Sequence, residues 1–181
     1  VSWDAGKLAK MGIFVALAIA LKLPILQIPN VEFFIFVVFS SGYLLGILEG
    51  GVVGGLSILI YTTFNPYGFP PLPIALAQVF SMILIGIFGG LIFKAGLEIL
   101  IKFTTLILMG LVGVILTLAY DVLTNLAVAY VVGQFKPVML AAIPFSLIHI
   151  GSNALIFVIL APVLSRLNRL QKGSEPCLKS A

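Results

Sequence analysis

Residues 103–131 read "FTTLILMGLVGVILTLAYDVLTNLAVAYV", an almost unbroken apolar run with a single acid, Asp121, and an amide, Asn125, four residues on. A helix rises about 1.5 Å per residue, so this stretch spans the roughly 30 Å of bilayer hydrocarbon with length to spare. Comparable runs recur along the chain. Of its 181 residues, 61% are hydrophobic and 9% charged, against about 25% charged in soluble domains. The sequence therefore predicts an all-α integral membrane protein.

Six transmembrane helices are expected, at about 8–28, 31–48, 51–64, 74–93, 103–131 and 138–165. Residues 1–170 form a single membrane domain and 171–181 a polar tail. The first run has basic residues in front of it, but its apolar part exceeds the usual signal-peptide core and no clear cleavage site follows. It reads as a span. "Glu49-Gly50-Gly51" reads as the tight turn between spans two and three. "FNPYGFPPLP", 64–73, is a proline-broken loop. "KAGLEILIK", 94–102, reads as an interfacial helix or a fray. With six spans, eight Lys and Arg residues fall on the side of the termini and Lys136 alone on the other. The positive-inside bias then puts both termini in the cytoplasm and accounts for the net charge of +4 without nucleic acid.

That topology sorts the polar residues by depth. An ionisable side chain at the centre of a membrane helix costs about 2.5–3.5 kcal/mol on insertion scales, and it normally faces a cavity or a partner. Thr117, Asp121 and Thr124 share a face of span five, with Tyr120 and Asn125 beside them. Ser146, His149 and Asn153 share a face of span six. Lys22, Glu32, Tyr61, Thr62, Asn65, Gln78 and Ser81 fall in the same outer half, and the inner halves carry almost no charge. This asymmetry points to a polar pocket open to the outside. Each residue also has a structural reading: Asp121 as ion-pair partner of Lys22, His149 bonded to a helix carbonyl, Asn125 and Asn153 as links between helices.

Small residues form two stripes. Gly12, Ala16 and Ala20 recur every fourth residue in span one, and Gly42, Gly46, Gly50 and Gly54 do so in spans two and three. Such stripes serve close helix packing or, when they face outward, the docking of another membrane protein. The chain has no P-loop and no paired His/Cys spacing, and its one cysteine, Cys177, lies in the tail. "HIGSN" superficially suggests a serine hydrolase, but there is no G-x-S-x-G and only one histidine. No enzymatic activity, metal or cofactor is expected.

The whole pattern resembles the substrate-binding S-components of energy-coupling factor (ECF) transporters. The resemblance covers nearly the full chain: its length, six helices with cytoplasmic termini, a third span followed by a long external loop, and an alanine-rich first helix, "GIFVALAIALKLP". It implies a non-enzymatic receptor in a prokaryotic inner (plasma) membrane that captures a vitamin or related micronutrient. Its implied partners are a membrane scaffold (T) subunit and two cytosolic ABC ATPases, on which it delivers substrate by toppling. Ala16 and Ala20, with Gly12, would meet the scaffold, and "FNPYGFPPLP" would be the lid. Asn65, Tyr67, Gln78, Tyr120, Asp121, Asn125, His149 and Asn153 would be the substrate contacts. The absence of an arginine at this depth argues against a strongly anionic substrate; aromatic and amide side chains suit a heteroaromatic ring system. A structural protein of an envelope complex and a stand-alone carrier are the alternatives.

Overall fold

The computed structural model describes residues 3–25, 28, 30–64, 66–97, 99 and 102–173. They form six α-helices: α1 (Ala5–Lys22), α2 (Phe34–Leu45), α3 (Ile47–Phe64), α4 (Leu72–Lys94), α5 (Phe103–Val132) and α6 (Phe135–Gly173), with a 3-10 turn at Leu23–Ile25. α3 to α6 are each long and apolar enough to cross a membrane, so four helices meet that standard where six were expected. α2 has 12 residues, too few to cross alone. α1 has 18 but carries three lysines, Lys7, Lys10 and Lys22.

Helix ends follow local chemistry. The Asp4 side chain accepts from the Lys7 amide at 2.7 Å and caps α1. α1 stops at Lys22, six residues before the predicted end: the Leu23 amide still donates to the Ile19 carbonyl, but Pro24 has no N–H to continue the ladder and the chain tightens into the 3-10 turn. The predicted turn at Glu49–Gly51 lies inside α3. The break falls instead at Gly46, whose φ of 123° is inaccessible to side-chain-bearing residues. α3 is consequently 18 residues long instead of about 14. Of the 94–102 segment, Lys94 ends α4 and Ala95–Gly96 form a turn, while residues 98, 100 and 101 lie outside the described residues. α6 continues through Arg166 and Arg169 to Gly173, so the first three residues of the expected polar tail, 171–173, are helical. Cys177 lies outside the described residues.

α2 sits at the centre, with ten of its twelve residues buried. α3 and α4 cross so closely that a Cβ added to Gly86 would stand 2.0 Å from the Gly50 carbonyl oxygen, and α2 meets α4 as closely, a Cβ on Gly42 standing 1.9 Å from the Gly86 carbonyl oxygen. The second glycine stripe is thus internal packing. The first is not: Gly12, Ala16 and Ala20 are exposed, and nothing lies within 4 Å of a Cβ placed on Gly12. The outward face of α5 carries Leu108, Leu111, Ile115 and Leu118, while Met109, Gly113, Leu116 and Asp121 face inward. An apolar exterior of this extent fits lipid as the solvent.

Candidate functional site

Ends of elements define the two poles of the bundle. At one pole, Lys7 of α1 and Glu49 of α3 are 2.5 Å apart, and the Gln171 side chain of α6 donates to the Leu44 carbonyl. The start of α1 and the end of α6 lie there. At the opposite pole is a cavity of about 480 Å³, lined from the end of α1, the loop before α2, the end of α3, the start of α4, the second half of α5 and the first half of α6.

Its charged residues form a chain of contacts. Asp121 on α5 places Oδ1 2.7 Å from His149 Nδ1 on α6. His149 Nε2 lies 3.3 Å from Glu32 Oε1, an ionic contact without hydrogen-bond geometry. The other Glu32 oxygen is in direct contact with Lys22 Nζ. Lys22 also lies over the rings of Tyr61 and Phe34, 4.7 and 5.5 Å from their centroids, so both π-faces help to hold the ammonium. Tyr120 stands edge-on to the imidazole at 6.0 Å.

Glu32 owes its place to the loop. Asn30 adopts a φ of 60°, which asparagine tolerates better than most residues, and its carbonyl accepts from Ser152 Oγ on α6 at 2.8 Å. This contact ties the loop to α6 beside His149. Across the cavity, Thr62 donates to Gln78 Oε1 at 3.3 Å and joins α3 to α4.

Of the eight predicted contacts, Tyr67, Gln78, Tyr120, Asp121, Asn125 and His149 line the cavity together. Asn65 lies outside the described residues. Asn153 does not reach the cavity: it is wholly buried one turn beyond His149 and donates to the His149 carbonyl at 3.1 Å. The pairing considered between Lys22 and Asp121 is replaced by two others, Lys22 with Glu32 and Asp121 with His149, and His149 meets carboxylates instead of a carbonyl. Of the predicted lid, Tyr67 lines the cavity while Phe64 and Phe69 are exposed. Lys22, Glu32, Tyr61, Thr124 and Ser146 also line the cavity and were not among the predicted contacts. Their depth was readable from the spans; the loop that brings Glu32 to His149 was not.

Deeper in the bundle, Phe157 meets Phe36 and Phe39 with ring centroids 5.1 and 5.4 Å apart. All three rings are buried. Among the described residues, no group of three or more His, Cys, Asp or Glu side chains is arranged to hold a metal ion. Comparison with family models, with curated proteins and with solved structures finds no match to this chain.

Proposed function

We propose that this protein is the substrate-binding subunit of an ECF-type importer, with its cavity facing outward and both termini in the cytoplasm. In this reading all six helices lie in the membrane, α1 and α2 completing the bundle formed by the four longer ones. The observation that carries the proposal is the cavity. It gathers polar and aromatic side chains from every helix except α2 into a single concave site of a size suited to a small organic molecule. The buried phenylalanine cluster below it supports a receptor over an open channel. Neither ATP-binding nor hydrolytic motifs occur in the chain, so partner ATPases would supply the energy.

Docking to a scaffold subunit fits the exposed Gly12–Ala16–Ala20 face. Small side chains there leave room for another helix to approach closely. Replacing Ala16→Trp together with Ala20→Trp should abolish vitamin uptake in cells that supply scaffold and ATPases. The purified double variant should still bind ligand as the wild type does. Unimpaired uptake, or loss of ligand binding by the purified variant, would contradict this use of the face.

A further inference from the structure

The charged chain in the cavity has more acceptor oxygens than donors to serve them. Glu32 and Asp121 contribute four carboxylate oxygens. One is met by Lys22 and one by His149. Glu32 Oε1 and Asp121 Oδ2 have no hydrogen-bond partner, although both side chains are at least nine-tenths buried and both residues line the cavity. His149 Nε2, 3.3 Å from Glu32 Oε1, also has no hydrogen-bond partner; a neutral imidazole has one N–H, and even a doubly protonated one would leave Asp121 Oδ2 without a donor. A buried acceptor without a donor is costly, and more so when it is charged.

The cavity has little to offer an anion. Lys22 is the one Lys or Arg among the described residues that line it, and its ammonium is already held by Glu32 and two ring faces. Tyr61, Tyr67, Tyr120 and Phe145 supply aromatic walls, and the Tyr61 face already holds one cation. Aromatic walls around under-served carboxylates are the combination that recognises an organic cation.

We propose that the site selects a small heteroaromatic cation, whose protonated or N–H-rich head donates to Asp121 Oδ2 and Glu32 Oε1 while its ring packs among the tyrosines. This rests on reading the cavity as a ligand site, and it adds the sign of the ligand's charge. Asp121 is then the specificity-determining residue, because its Oδ2 is met by neither Lys22 nor His149.

The test uses three probes of nearly one shape and different charge: benzamidine (cationic), benzamide (neutral) and benzoate (anionic). Each is titrated by calorimetry into the full chain in nanodiscs of zwitterionic lipid, with empty nanodiscs as the partition control. Benzamidine should bind more tightly than benzamide, and benzoate most weakly. Asp121→Asn should remove about tenfold to a hundredfold of the benzamidine affinity, the value of a charge-assisted hydrogen bond, and a smaller part of the benzamide affinity, so that the preference for the cation narrows. Benzoate binding as well as benzamidine, or a benzamidine advantage that survives Asp121→Asn, overturns the charge assignment. The wild-type ranking decides the matter even if the variant does not fold. Retention of a neutral or anionic vitamin by the same protein would overturn the cation proposal alone and leave the receptor reading standing.

Discussion

Lys22 and Glu32 form an ion pair whose side chains are 17% and 9% exposed. At that depth, taking both charges out of water is expensive, and removing one partner strands the other. Lys22→Met should therefore destabilise the protein by about 3 kcal/mol, measured by unfolding in mixed detergent micelles. Adding Glu32→Gln to Lys22→Met should recover much of the loss, since it removes the stranded charge. Equal losses in the single and double variants would show that the pair carries no such weight. At this scale the sequence revealed which residues share a depth and a face but not who pairs with whom. Asp121 and Lys22 looked like partners because both are ionisable in the same half. Pairing is settled by the Asn30 loop, whose backbone turn and bond to Ser152 bring Glu32 between Lys22 and His149. No periodicity encodes such a loop.

The helices themselves were largely legible, because apolar runs of this length have one outcome in lipid. Their ends were less so. The paired glycines of "Glu49-Gly50-Gly51" suggested a turn, yet Gly50, like Gly54, serves α3 as a contact point, and the chain turns at Gly46. Spacing alone does not distinguish a glycine that bends the chain from one that lets two helices touch. The two small-residue stripes were equally ambiguous in sequence and part company in the fold, one facing α4 and one facing outward. Gly86→Val would force side-chain atoms into the Gly50 backbone and should destabilise by about 3 kcal/mol or more. Gly12→Ala, with open space around it, should stay within about 0.5 kcal/mol of wild type. Thermal unfolding of the two variants side by side checks this, and equal midpoints would refute the close crossing of α3 and α4.

Across the whole molecule, one pole is packed and tied together by contacts among α1, α2, α3 and α6, and the other holds the cavity. The cavity pole gives six of eight predicted contacts a common location. In the proposed reading, the cavity would be the capture site and the exposed small-residue face of α1 the docking face of a subunit that tilts against a scaffold. The central claim is that the cavity captures a micronutrient. Native mass spectrometry of the purified chain, carried through a panel of vitamins at micromolar concentration, tests it most directly. The account predicts one retained or added ligand of one-to-one stoichiometry, weakened by Asp121→Asn. A protein that holds no member of the panel would contradict it.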